Sequence, residues 1–62
     1  MFLKFTAKCK PGFVSYNGFE PCYMCPYDTF QPKDGKEFCF ICPLNGFTEQ
    51  KASTFDDQCI GM

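Results

Sequence analysis

The segment CYMCPYDTFQPKDGKEFCFIC, residues 22–42, decides the fold of this chain of 62 residues. It is a long loop with a tight Cys-x-x-Cys joint at each end, and the two cysteines outside it continue the spacing. The six cysteines are Cys9, Cys22, Cys25, Cys39, Cys42 and Cys59. A spacing that recurs along a chain predicts a stack of similar units rather than one globule. We therefore predict an N-terminal extension, residues 1–8, and a cysteine-rich module, residues 9–62. The module contains a first loop (9–22), a second loop (25–39) and a third loop (42–59), each with an opening and a closing cysteine.

The chain is too short to be held together by an apolar core alone. Domains below about 70 residues usually need disulfides, a metal or oligomerisation. Branched aliphatic side chains are few, whereas nine Phe and three Tyr supply most of the apolar surface. The cysteines are therefore the expected cross-links. We predict a small disulfide-rich fold, an elongated ladder of short β-hairpins in three tandem loops, with little or no helix.

The cysteines permit two kinds of cross-link. The four cysteines of the two joints have a spacing close to that of a four-thiolate zinc ribbon. Such a site would leave Cys9 and Cys59 unexplained, although both continue the same period. The chain contains no His, so a mixed zinc site is not available. We therefore predict three disulfides, with no metal and no cofactor.

The pairing of the cysteines stays open at this stage, because six cysteines permit many connectivities. If each loop closes on itself, the bridges are Cys9–Cys22, Cys25–Cys39 and Cys42–Cys59, and this is the pairing that we favour. Each such bridge would contribute about 3 kcal/mol in the chain-entropy model. The alternative keeps the first bridge and crosses the other two, as Cys25–Cys42 and Cys39–Cys59.

The three loops begin alike, with a proline, a residue that tolerates positive φ, and an aromatic residue. The tolerant residues and the aromatic residues are, in loop order, Gly12 and Phe13, Asp28 and Phe30, and Asn45 and Phe47. Gly, Asn and Asp adopt positive φ more readily than other residues. We predict a tight turn after each opening cysteine and expect the three Phe side chains to point inward against the disulfides.

Turn-forming pairs divide the first two loops. Asn17-Gly18 and Asp34-Gly35 are strong hairpin signals, so residues 13–16 and 29–31 are predicted to be short strands. The third loop has no such pair, and a looser turn is expected at Ala52-Ser53.

Apolar side chains inside the two joints call for an interpretation of their own. They are Tyr23, Met24, Phe40 and Ile41. Packing between successive loops is the interpretation that we favour. The alternative is an exposed apolar strip that docks a partner, because large exposed apolar patches usually mark interaction sites. These four residues are the possible partner surface.

The order Cys-Pro-x-x-x-Phe, a Gly-bearing turn and Cys-x-x-Cys-Pro resembles the ephrin-receptor-like cysteine-rich repeat, and more distantly the TNF-receptor and furin-like repeats. The resemblance covers residues 9–59, and residues 51–59 are similar to that family's longer closing loop. Asp28 and Asn45 stand where the family usually has Gly. The resemblance implies an extracellular module of a larger protein, a spacer or a surface for protein partners, and not an enzyme. It transfers no catalytic residue.

Charge and composition argue against several functional classes. The net charge is −1 and Arg is absent, which argues against a nucleic-acid binder. No apolar run approaches the roughly 20 residues of a membrane span. Residues 1–8 are too short for a signal peptide, so a secreted chain would be a processed form or a fragment. Without His, no Ser-His or Cys-His nucleophile pair exists.

We therefore predict a non-catalytic interaction or spacer module, extracellular or secreted, whose partners are proteins or neighbouring domains and not nucleic acid or membrane. One alternative is a free secreted cysteine-rich peptide, such as a toxin or a signalling ligand. A second alternative is an intracellular zinc ribbon.

Overall fold

The computed structural model describes residues 7–61, so residues 1–6 of the predicted extension lie outside the described part. The molecule measures 54 × 15 × 14 Å along its principal axes. Each loop is closed by its own disulfide, and the bridged Cα atoms are 5.8, 5.9 and 5.7 Å apart, the usual range for this bond. The bridges are Cys9–Cys22, Cys25–Cys39 and Cys42–Cys59. The predicted fold class, an elongated disulfide-rich ladder of short hairpins, is confirmed.

Two antiparallel hairpins form the strands of the ladder. Strand β1 (Phe13–Val14) pairs with β2 (Tyr23–Met24), and β3 (Thr29–Phe30) pairs with β4 (Phe40–Ile41). The second strand of each hairpin lies inside a Cys-x-x-Cys joint, so the joints are extended strands rather than loose connections. The first strands are shorter than predicted, because the next residues turn away to bond with the following loop.

The third loop repeats the hairpin as a single bridge between Phe47 and Ile60. It also contains two short 3-10 turns, Pro43–Asn45 and Asp56–Gln58. In all three loops, the fifth residue after the opening cysteine pairs with the residue directly after the closing cysteine. These pairs are Val14–Tyr23, Phe30–Phe40 and Phe47–Ile60. The repeat is therefore one of strand register as well as of cysteine spacing.

The register corrects the predicted equivalence of Phe13, Phe30 and Phe47. Phe13 is the fourth residue after its opening cysteine, whereas the other two are the fifth. A one-residue shift in a strand moves a side chain to the other face, so Phe13 does not share the face of Phe30. The inward orientation is also wrong for Phe47, which is 39% exposed. Phe30, whose main chain bridges to Ser53 of the next loop, is half-buried.

The predicted turn residues have the predicted conformation. Gly12, Asp28 and Asn45 have φ of 88°, 71° and 57°. Ala52 has φ of 62°, which confirms the turn expected in the third loop. Leu44 also has a positive φ, of 53°, and nothing in the sequence predicts this. Thus the chain reverses at the same point after every opening cysteine.

Successive loops are joined by main-chain hydrogen bonds that recur at both contacts. The N–H of each following opening cysteine donates to the carbonyl of the preceding turn residue, from Cys25 to Gly12 at 2.8 Å and from Cys42 to Asp28 at 2.9 Å. Three further bonds recur in the same way, with distances from 2.8 to 3.4 Å. In the first of these, the Gly35 and Ala52 N–H groups donate to the carbonyls of Cys9 and Cys25. In the second, the Gly12 and Asp28 N–H groups donate to the Gln31 carbonyl and the Thr48 hydroxyl. In the third, the Ser15 and Gln31 N–H groups donate to the carbonyls of Lys36 and Ser53. Most of these bonds do not depend on side chains, so loops of different sequence stack in the same way.

Small polar residues and cysteines, rather than aromatic residues, fill the interior. The sixth residue after each opening cysteine is buried and polar, namely Ser15, Gln31 and Thr48. Buried polar groups destabilise a fold unless they are hydrogen-bonded. Within residues 7–61, every buried side-chain nitrogen or oxygen has a partner.

Gln31 has no exposed surface, and it shows how such a residue is accommodated. Its side-chain amide donates to the Phe38 carbonyl at 2.7 Å, and its Oε1 accepts from the Lys33 N–H at 3.0 Å. Its main chain bonds to both neighbouring loops, through Gly12 and Ser53. A polar residue at this position therefore ties the second loop together from inside.

Candidate interaction surface

Large apolar side chains lie on the surface of this ladder. The exposed ones in the described part are Tyr16, Phe19, Tyr23, Met24, Tyr27, Phe38, Phe40, Ile41, Leu44, Phe47, Phe55 and Ile60. They are exposed because main-chain contacts and small polar residues occupy the space between the loops. Apolar surface of this extent usually marks an interaction site.

All four side chains predicted from the joints are exposed. Tyr23 and Met24 are 70% and 52% exposed, and Phe40 and Ile41 are 44% and 80% exposed. The prediction that these residues pack between successive loops is therefore wrong. The main chain of each joint is paired with the preceding strand, and the side chains of the joint remain accessible to solvent.

The strand register divides these four residues between two faces. Tyr23 and Met24 are neighbours in β2, and Phe40 and Ile41 are neighbours in β4. Successive strand residues point to opposite faces of a hairpin. Tyr23 and Phe40 therefore occupy equivalent faces of their own hairpins, and Met24 and Ile41 occupy the opposite faces. The four side chains predicted to form one partner surface therefore belong to two different faces.

One of these faces carries large apolar side chains in every loop, and we call it the apolar stripe. It consists of the three cross-strand pairs Val14–Tyr23, Phe30–Phe40 and Phe47–Ile60. On the other face, the third loop has Gly46 and Gly61 at the equivalent positions. Only the stripe positions therefore carry a pair of apolar side chains in every loop.

Sequence reasoning missed Phe47 and Ile60 as members of this surface. A signal was present, because the residue directly after each closing cysteine is large and apolar: Tyr23, Phe40 and Ile60. The third of these lies outside a Cys-x-x-Cys joint, so the joints alone do not indicate it. The position relative to the closing cysteine, rather than membership of a joint, identifies the stripe.

Aromatic packing orders the middle of the stripe. The Phe40 ring lies 5.6 Å from Phe30 and 5.4 Å from Phe38, in tilted and edge-to-face arrangements. Such pairs contribute about 0.5–1.5 kcal/mol beyond the burial of their area. Phe40 is thus held by two neighbours while almost half of it stays accessible. A ring that is already ordered loses little conformational entropy when it binds.

The cysteines have no role as metal ligands in this structure, because all six are in bridges. The four-cysteine ligand set of the zinc alternative is therefore not assembled. Among residues 7–61, no three potential ligand side chains are grouped as a metal site. None of the helical segments in that part of the chain has the length and hydropathy of a membrane span.

A family model described as "Tyrosine-protein kinase ephrin type A/B receptor-like" matches residues 12–59, which include most of the first loop and all of the other two. The chain belongs to this family. The ephrin-receptor-like resemblance drawn from the cysteine motifs is therefore confirmed. No solved structure matches this ephrin-receptor-like chain.

Curated relatives of the ephrin-receptor-like chain are much longer proteins. It is 39% identical over 51 residues to the "Signal peptide, CUB and EGF-like domain-containing protein 2" of Homo sapiens, a match that covers 82% of this chain and 5% of that protein. It is 45% identical over 31 residues to the protein of the same name from Danio rerio, a match that covers 50% of this chain and 3% of that protein. The chain thus spans only a few per cent of the relatives that it matches.

Proposed function

We propose that this chain is a non-catalytic extracellular module of a larger multidomain protein. It serves as a stiff spacer and presents its apolar stripe to a protein partner or a neighbouring domain. Nucleic acid and membrane are not among its partners. The family match and the names of the relatives, which include a signal peptide and further domains, support this proposal. Three disulfides in a short chain are typical of secreted proteins.

The observation that carries the spacer role is the repetition of one hydrogen-bond pattern at both contacts between loops. A flexible linker would lack such fixed contacts. Here the joints are paired strands, and each loop is closed by a covalent bridge. A surface held in one shape costs less entropy to order on binding.

The relatives also favour the module over a free secreted peptide. A peptide that acts alone would be expected to match precursors of similar length, whereas this chain corresponds to a small part of each relative. The bridges likewise favour the module over an intracellular zinc ribbon, because disulfides are rare in reducing compartments.

The spacer role predicts that the three loops tumble as one body. Residual dipolar couplings of amides from all three loops should fit a single alignment tensor. Backbone order parameters at Met24 and Ile41 should be near 0.85, roughly the value of rigid backbone. As a control, two glycines inserted between Phe40 and Ile41 should release the third loop. Separate tensors for the unmodified loops, or order parameters below about 0.6 in the joints, would contradict the proposal.

The stripe predicts that contacts with a partner depend on the face of the hairpin. A photo-crosslinking amino acid at Tyr23, introduced into the multidomain protein proposed to contain this chain, should yield a defined adduct with another protein or domain. The same amino acid at Met24, one residue away but on the opposite face, is the matched control and should yield little. Both products can be identified by mass spectrometry. Equal yields from both positions would show that the stripe is not the contact surface.

A further inference from the structure

The two cysteines of every bridge differ in exposure. The opening cysteines Cys9, Cys25 and Cys42 are 1%, 0% and 4% exposed. Their closing partners are half-buried, namely Cys22, Cys39 and Cys59. Disulfides are opened by a thiolate that attacks one sulfur while the other leaves, so access decides which sulfur is attacked. A thiol from solution therefore reaches each bridge through its closing cysteine, and the buried opening cysteine is the leaving group.

The first bridge has a feature that makes its buried sulfur a better leaving group. The Ser15 hydroxyl oxygen lies 3.5 Å from Cys9 Sγ. It now donates to the Phe19 carbonyl at 2.7 Å, with Asn17 Oδ1 at 3.0 Å as a second acceptor. A buried thiolate without a hydrogen bond is strongly unfavourable. If Cys9 became a thiolate, rotation of the Ser15 hydroxyl would supply that bond.

The equivalent side chains of the other two loops bond to groups other than a cysteine sulfur. Gln31 donates its amide to Phe38 and accepts from Lys33. Thr48 Oγ1 accepts from the Asp28 N–H at 2.9 Å. Neither forms a hydrogen bond with a cysteine sulfur within the described residues. The three bridges thus share their geometry of access but differ in how the leaving sulfur is stabilised.

We infer that Cys22 is the site at which this protein exchanges with external thiols. The attacking thiolate, from a small thiol or a protein thiol, forms a bond with Cys22 Sγ, and the Cys9–Cys22 bond breaks. The electron pair of that bond goes to Cys9 Sγ, which accepts a hydrogen bond from Ser15 and then takes a proton from water. The products are a mixed disulfide on Cys22 and a free thiol on Cys9.

The position of this site has a consequence for the proposed function. Cys22 directly precedes Tyr23 of the apolar stripe, so a thiol-bearing protein docked on the stripe would find the exchangeable sulfur at its edge. This consequence rests on the proposed interaction role. The selectivity for Cys22 does not rest on that role, because it follows from the burial of the bridges and the Ser15 contact alone.

The selectivity is tested by limited exchange of the oxidised full chain with reduced glutathione. The reaction is quenched with acid, free thiols are alkylated, and peptides are mapped by mass spectrometry. The first adduct is expected to be glutathione on Cys22 with an alkylated Cys9. A first adduct on Cys39 or Cys59, or on any opening cysteine, would overturn the inference. Neither result bears on whether the loops tumble as one body, so the proposed function is tested separately.

The role of Ser15 is tested by whether its substitution slows or accelerates the opening of the first bridge. Loss of a hydrogen bond to a charged group predicts that Ser15→Ala opens the first bridge about tenfold more slowly. If Ser15 only held the loop together, its removal would loosen the loop and accelerate exchange. Ser15→Thr should restore the rate, and Thr48→Val, at the equivalent position of the third loop, should leave exchange at Cys22 unchanged. An unchanged or faster rate in Ser15→Ala would overturn the role of the hydroxyl.

Discussion

Replacement of both Cys25 and Cys39 by alanine is expected to lower the free energy of unfolding by about 3 kcal/mol, the contribution of a bridge that closes a loop of this length. The bridge spans 14 positions of the central loop. Cys25 is also fully buried, and its main chain bonds to Gly12 and Ala52 in the two neighbouring loops. Chains of this size rarely have more than about 3–5 kcal/mol from their core. The variant should therefore be largely unfolded at physiological temperature, as measured by circular dichroism and amide dispersion.

A matched control removes the terminal bridge instead, by replacing Cys42 and Cys59 with alanine. Within the described residues, the hydrogen bonds that join the third loop to another loop are all to the second loop, so its loss should leave the first two loops folded. Amide resonances of residues 9–39 should keep their dispersion in that variant and lose it in the central one. If the central variant instead melted at the temperature of the unmodified chain, the bridges would not be the main source of stability.

Gly12→Ala is expected to lower the free energy of unfolding by about 2–4 kcal/mol, which combines overpacking and an unfavourable backbone conformation. Gly12 has φ of 88°, a region that side chains disfavour. A Cβ there would lie 2.5 Å from the Ala52 carbonyl oxygen and 3.0 Å from its carbon. Both atoms belong to the main chain of the third loop, so no side-chain rotation relieves the clash. Chemical denaturation with the disulfides intact would measure the effect.

Gly61→Ala is the control for this substitution. A Cβ at Gly61 would meet nothing within 4 Å, and the change should stay within about 0.5 kcal/mol. Equal stability of the Gly12 and Gly61 variants would mean that the first and third loops do not approach each other as described.

Much of the ladder is predictable because its determinants are local. The tight turns at Gly12, Asp28 and Asn45 follow from the conformational preferences of those residues, whatever surrounds them. The cysteine period likewise predicts tandem units, since short joints leave little freedom between one loop and the next. Hairpin positions in the first two loops follow from their Gly-bearing turns.

The interaction surface is less predictable because it depends on register. The aromatic pattern of the sequence makes Phe13 equivalent to Phe30, whereas strand pairing makes Val14 equivalent to Phe30. That shift of one residue decides which face a side chain occupies. It also decides that Tyr23 and Met24, adjacent in sequence, belong to different surfaces.

The cysteine spacing and the backbone preferences of the turn residues are thus enough to predict, from the sequence, a disulfide-bonded stack of three loops with turns and hairpins. The tertiary structure alone decides that the interior is polar, with Gln31 and Ser53 buried and the aromatic rings outside. The reason is that the loops are joined through main-chain groups, which leave room between them only for small or hydrogen-bonded side chains. Hydrogen bonds between residues of different loops have no local signature. The apolar stripe and the contact of Ser15 with the first bridge form within single loops, but they depend on strand pairing and loop closure, which residue preferences alone do not specify.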